Sequence, residues 1–166
     1  GQCSVPVAAT NVAAIAAGAS FSMTLQTNAT IRVWGSVFVN PSVLVVPSGA
    51  MPAKQIAAGS FGHAIAIRTN GAVVAWGSTP VGAAPQPVGL ASAIAVTAGF
   101  EHSVALRPDG TVYCWWTQSF GVMAYVTNTP AGLSNVIAIA AGDYHTLALR
   151  SNGTVVAWGD NTVGQT

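Results

Sequence analysis

The chain has 166 residues, 51% of them hydrophobic and only 5% charged; this length predicts one domain and this composition excludes disorder. Five Lys and Arg against four Asp and Glu give a formal charge of +1, too few cations to neutralise a run of phosphates, so no nucleic-acid partner is expected. No membrane partner is expected either: the uncharged stretches are punctuated, as Val33 to Ala53 is by Gly35, Pro41, Pro47, Gly49 and Pro52, and none resembles a span of about 20 apolar residues. No basic segment followed by an apolar one opens the chain, so no signal peptide is expected in it.

In chain order the predicted elements form a repeat. The first unit opens on the apolar segment Val12 to Ala17, runs from Gly18 to Trp34, and is the most diverged. A connector from Val37 to Met51 leads to the second unit, with Gln55 to Ala58, then Gly59, the apolar run Ala64 to Ile67, the pair Asn70-Gly71, and Trp76. It carries one extra residue near Gly62. After Pro80 to Leu90 the third unit repeats the order as Ala93 to Ala98, Gly99, Val104 to Leu106, Asp109-Gly110 and Trp115. After Ser119 to Leu133 the fourth has Val136 to Ala141, Gly142, Asn152-Gly153, and Thr154 to Trp158. The tryptophans are 42, 39 and 43 residues apart.

Each unit reads as short strands. The Asn-Gly and Asp-Gly pairs are strong hairpin signals, and at the centre of a type I′ turn they would supply its two positive φ angles. Helical repeats of this length would need a 3.6-residue period. The expected fold is therefore all-β: four β-propeller blades of about 40 residues, filling residues 1–166.

At the level of the repeat, the chain resembles the regulator of chromosome condensation family of seven-bladed propellers. The family motif is close to A-I-A-A-G-x-x-H-x-L-A-L-x-x-D/N-G-x-V-x-A-W-G-x-N-x-x-G-Q. Ala138 to Gln165 follows it almost throughout, and Ala93 to Trp115 follows it well. In its short unit the chain looks more like the secreted bacterial propellers that inhibit β-lactamases. Phe21 stands where the motif has histidine, Ala29 where it has the turn glycine, and Trp116 where it has the glycine after tryptophan. Gly-Gln survives at Gly1-Gln2 and Gly164-Gln165, which puts the two ends at one phase of the repeat and predicts four complete units cut at one connector. A blade with a bare apolar face is poorly soluble. Three arrangements answer this: a longer protein, two chains closing one ring of eight blades by self-association, or a four-bladed ring closed alone.

His63, His102 and His145 share one repeat position and are read as structural, each bonded to neighbouring backbone. No metal or cofactor site is expected. The acids Glu101, Asp109, Asp143 and Asp160 form no recognisable catalytic pair and Gly-x-Ser-x-Gly is absent, so no catalytic residue is assigned and the chain is read as not an enzyme. Cys114 aligns with Ala75 and Ala157, which suggests an unreactive core thiol; Cys3 lies in the first connector. Asn28 and Asn152 open glycosylation sequons at the hairpin turns, where asparagine also suits the turn. The repeated tryptophans are read as blade core.

The loop after the repeat glycine carries Ser20, Phe61, Phe100, Glu101, Asp143 and Tyr144. In the inhibitors that the chain resembles, this loop and the one after Trp-Gly line the partner-binding face. The resemblance therefore implies ligand-binding roles for Phe61, Phe100, Glu101, Asp143, Tyr144 and Asp160. Aromatic anchors with scattered acids suit a protein surface or a sugar ring. The expected function is a non-enzymatic scaffold that recognises a protein through the loop face of a propeller, with a lectin-like carbohydrate-binding propeller as the alternative. A single lysine, Lys54, and very low charge fit an extracellular protein.

Overall fold

Short apolar runs separated by turn residues fold here as antiparallel meanders. The structure, a computed structural model, describes residues 1–35, 45–79, 82–83, 86–116 and 124–166, with backbone alone at 78–79, 82–83, 116 and 124–125. The first sheet holds β1 (Val12–Ala17), β2 (Phe21–Gln26) and β3 (Ile31–Gly35) in that order. The second holds β4 (Ala53–Ala58), β5 (His63–Arg68), β6 (Val73–Thr79) and the two-residue β7 (Gly82–Ala83). The third holds β8 (Ala95–Ala98), β9 (His102–Leu106) and β10 (Val112–Trp116), and the fourth β11 (Val136–Ala141), β12 (His145–Arg150) and β13 (Val155–Gly159). A 3-10 turn at Ser48–Ala50 and a single helical turn, α1 (Ala124–Thr127), lie in connectors. The chain is thus all-β, with four propeller blades. Much of the three diverged connectors, and the Trp116 side chain, lie outside the described residues.

The hairpin turns differ from the expected type I′. Only the second residue of each pair has positive φ: Gly71 at 91°, Gly110 at 77° and Gly153 at 85°. Gly71 N–H donates to Arg68 O at 2.9 Å and Arg68 N–H to Ala72 O at 2.8 Å, so the loop has three residues and ends on a left-handed glycine. The preceding residue works through its side chain. Asn70 Oδ1 accepts from Ala72 N–H at 3.1 Å, Asp109 Oδ1 from Thr111 N–H at 2.9 Å, and Asn152 Oδ1 from Thr154 N–H at 3.0 Å. This Asx geometry, rather than paired positive φ, selects Asn and Asp there. In the first unit Ala29 holds the left-handed position at φ 65°.

The left-handed residue also joins one blade to the next. Its carbonyl accepts from the residue six before the next repeat glycine: Ala53 N–H to Ala29 O at 2.9 Å, Ala93 N–H to Gly71 O at 3.0 Å, and Val136 N–H to Gly110 O at 3.0 Å. Three apolar clusters fill the three junctions. The first joins Phe21, Met23, Leu25 and Ile31 to Ile56, Ala64, Ala66 and Trp76. The second joins Ile65 and Ile67 to Val96, Ala105 and Trp115, and the third Leu106 to Val136, Ala148 and Trp158. Trp76, Trp115 and Trp158 are buried, as blade-core residues; Trp34 is only half-buried. Among the described residues no such cluster joins the fourth sheet back to the first. First strands pack on first strands, β1 on β4, β4 on β8 and β8 on β11, so the loops after them converge at one end.

Candidate binding face

The convergent loops are those after the repeat glycines, and a ring explains why glycine stands there. A Cβ on Gly142 would lie 2.2 Å from His145 Cε1, one on Gly59 2.0 Å from His63 Cε1, and one on Gly18 2.2 Å from Phe21 Cε1. The imidazole or phenyl ring occupies the space of the missing side chain. Gly99 is tightest, since its Cβ would also lie 2.4 Å from Gly142 O on the next blade.

The rings continue across the junctions. His102 Nε2 and Thr146 Oγ1 of the next blade share a hydrogen bond of 3.1 Å. The ring nitrogens of His63 and the Nδ1 of His102 have no hydrogen-bond partner. Burial pushes His63 down to about 4, opposed in part by the His102 backbone. Burial also pushes His102 down to about 4, with His63 and His145 adding to the fall and Asp143 opposing it. Both rings are neutral at pH 7. Among the described residues no group of three His, Cys, Asp or Glu is placed to hold a metal.

Over these rings the loops form an aromatic ladder. Phe61 and Phe100 meet edge to face with centroids 5.0 Å apart, and Phe100 and Tyr144 follow at 5.3 Å with a tilt of 47°. One residue from each of three successive blades is thereby brought to one line, and all three are half-buried. Backbone bonds set their spacing: Ser60 N–H donates to Gly99 O at 3.1 Å and Phe100 N–H to Asp143 O at 3.0 Å. Ser60 Oγ donates to Asp143 Oδ1 at 3.0 Å, tying the second blade's loop to the fourth's. Sequence reading passed over Ser60. Its signal was the extra residue of the second unit, since Gly62, at φ 113°, lengthens that loop.

The three acids separate. Asp143 is exposed beside the ladder. Glu101 is 8% exposed, and burial raises its carboxyl above the usual range. Asp160 lies beside Tyr144, its N–H donating to Tyr144 O at 2.8 Å, but its carboxylate serves its own connector. Oδ2 accepts from Thr162 Oγ1 at 3.0 Å and Gln165 Nε2 at 2.8 Å, and Oδ1 from Thr162 N–H at 3.2 Å. Ser20, in the first blade, has no aromatic neighbour in sequence that extends the ladder except the buried Phe21. Cys3 and Cys114 are both free, and burial pushes the Cys114 thiol up to about 12, as an unreactive core thiol requires.

The family described as the regulator of chromosome condensation (RCC1) repeat matches residues 53–82, 93–115 and 136–165, half of the chain. No curated protein matches the sequence. Among solved structures, the ectodomain of the Physcomitrella patens receptor kinase CR4 is 25% identical at a TM-score of 0.70, over 90% of this chain and 39% of that one. Yeast RCC1 (Prp20), in its complex with Kap60, is 20% identical at 0.70, over 93% and 44%. The chain thus spans less than half the length of either. The computationally designed protein Ika4 is 18% identical at 0.54, over 89% of this chain and 90% of that one. No helix among the described residues is long and apolar enough to cross a membrane.

Proposed function

The chain belongs to the regulator of chromosome condensation repeat family, and from that premise we propose that it is a non-enzymatic scaffold that recognises a protein ligand through its convergent loop face. The observation that carries this reading is the ladder Phe61–Phe100–Tyr144, with Asp143 exposed at its side. Half-buried rings held by backbone bonds lose little entropy when a partner covers them, which is what a binding anchor needs. Phe61, Phe100 and Tyr144 are the anchors, Asp143 supplies charge, and Glu101 and Asp160 hold the face in shape. The yeast relative is bound to the protein Kap60, which favours a protein ligand. The charge of +1 disfavours nucleic acid. An extracellular setting accords with the low charge and with the receptor ectodomain among the similar structures. Self-association completes the ring that carries the face.

Peptide phage selected on the folded chain, and counter-screened on the double variant Phe61→Ala/Tyr144→Ala, test the assignment. Selected clones are expected to lose at least about tenfold in affinity on the variant. Clones indifferent to it overturn the site. The aromatic faces would also stack on sugars, so a glycan array run in parallel separates the lectin reading: strong, sugar-competable binding overturns the protein ligand.

A further inference from the structure

The formal charge of +1 hides a separation of charge between the two ends of the sheets. All five cations and all four acids of the chain lie among the described residues. Arg68 and Arg150 close β5 and β12, and Arg107 follows β9. Arg32 and Lys54 are the second residues of β3 and β4. Each of these places is at the hairpin-turn end of a sheet, so all five cations stand there, with Asp109 of the third turn as the single acid among them. The other three acids stand at the opposite end. Glu101 and Asp143 follow repeat glycines and Asp160 follows β13, which puts them at the loop end, with the ladder Phe61–Phe100–Tyr144.

The two ends do not neutralise each other. Arg68 Nη2 donates to Met51 O at 3.4 Å and the Arg107 guanidinium lies 4.9 Å over the ring of Tyr113, so both heads are held at their own end. Strands of five or six residues put about 17–20 Å between the ends, roughly twice the Debye length of physiological salt. Near the ladder the acids are short of partners. Glu101 is 8% exposed, and burial raises its carboxyl with no hydrogen bond or cation opposing the rise. Asp143 is exposed, and only its Oδ1 is engaged, by Ser60 Oγ at 3.0 Å; among the described residues Oδ2 has no partner. Asp143 O accepts from Phe100 N–H at 3.0 Å, and Tyr144 is its neighbour in sequence, so this carboxylate and the rings of Phe100 and Tyr144 share one surface.

We propose that the protein ligand of the loop face presents a lysine or arginine, whose apolar stem lies along Phe100 and Tyr144 and whose charge meets the Asp143 carboxylate. Such a side chain matches both halves of the surface, a stem for the rings and a cation for the acid. A wholly apolar segment would cover Asp143 Oδ2 without replacing its water, and an acidic one would add repulsion. The separated charge also steers a cationic segment toward the loop end and away from the turn end. The proposal rests on the binding-face assignment and adds the sign of the partner's charge.

A cellulose-bound peptide array tests it, each peptide present in three versions that differ only in Lys, Gln or Glu at one position. The folded chain, Asp143→Asn and Phe61→Ala/Tyr144→Ala are compared as probes. The Lys versions are expected to be retained best and the Glu versions least. Asp143→Asn keeps the oxygen that accepts from Ser60 and removes the charge; it is expected to weaken the Lys versions by about fivefold and to leave the Gln versions unchanged. Raising sodium chloride from about 50 to about 500 mM is expected to erase that difference between the chain and Asp143→Asn. Lys versions retained no better than Glu versions overturn the proposal, and so do Lys versions that bind Asp143→Asn as tightly as the unaltered chain. In either case, peptides still lost on Phe61→Ala/Tyr144→Ala leave the binding face standing and remove only the charge assignment. Lys versions indifferent to that double variant overturn both.

Discussion

The junction between the third and fourth sheets and the outer face of the first sheet are built from the same repeat positions, and they differ in what covers them. In the junction, Val136, Ala148 and Trp158 are buried against Leu106. On the end face, a single strip of chain does part of that work. Gln2 O accepts from Trp34 Nε1 at 2.9 Å, as Val126 O does from Trp158 Nε1 at 2.9 Å. Gln26 Nε2 reaches Ala8 O at 3.1 Å and Thr10 O at 2.9 Å. This strip buries Thr24, whose Oγ1 has no partner, where the fourth blade has Ala148, yet it leaves Ile15 79% exposed where Ile56 is 7% exposed. Burial at a repeat position is therefore set by the neighbouring blade, and the identity of the residue only prepares for it.

The largest way to break the filled junctions is acid. His63 and His102 ionise at about 4 in the folded chain against 6.5 for an unperturbed histidine. Below 6.5 the unfolded chain takes up these protons and the folded chain does not, so stability is full above about pH 6.5 and falls as the pH drops toward 4. The expected loss is about 3 kcal/mol for each ring, read from urea midpoints across this window. His63→Phe, the residue that the first unit already uses, should remove about half of the dependence; an unchanged slope would contradict the burial argument.

Gly99→Ala should cost about 3 kcal/mol or more, because both the His102 ring and Gly142 O must move. Its effect would be seen as a lowered denaturation midpoint, and a neutral result would mean that the ring has room to turn away. A smaller contrast sharpens the comparison itself. Ile65→Ala, in the fully buried second junction, should cost about 3 kcal/mol. Leu147→Ala, at the same repeat position on the open fourth face, should cost less than about 1 kcal/mol at submicromolar concentration. Ala29→Gly is the smallest change and the one expected to stabilise. Alanine at φ 65° is strained and glycine is not, so a gain of about 1 kcal/mol in thermal or chemical unfolding is expected.

Much of this was legible in the residues. The recurrence of glycine, the Asn-Gly or Asp-Gly pair and tryptophan located the sheets, and the short apolar runs between them mark β5 and β9 closely. The aromatic and acidic residues of the loop face were also readable by position. Their division of labour was not. Asp143 and Asp160 look alike in sequence, and only the connector's Thr162 and Gln165 turn one of them inward. The turn type was missed because Asn-Gly serves two hairpin geometries, and the choice depends on strand register, which a pair of residues does not encode.

Sequence alone determined the unit: a set of short strands every 39 to 43 residues, with its glycine and the place of its turn. These follow from local rules, since a turn residue and a strand's apolar run each act over a few residues. Tertiary structure decided everything that needs two units at once. It set the neutral state of His63 and His102, the bond from His102 to Thr146, the ladder Phe61–Phe100–Tyr144, and which apolar faces a neighbouring blade fills. The physical reason is that desolvation and ring packing depend on the blade that comes next.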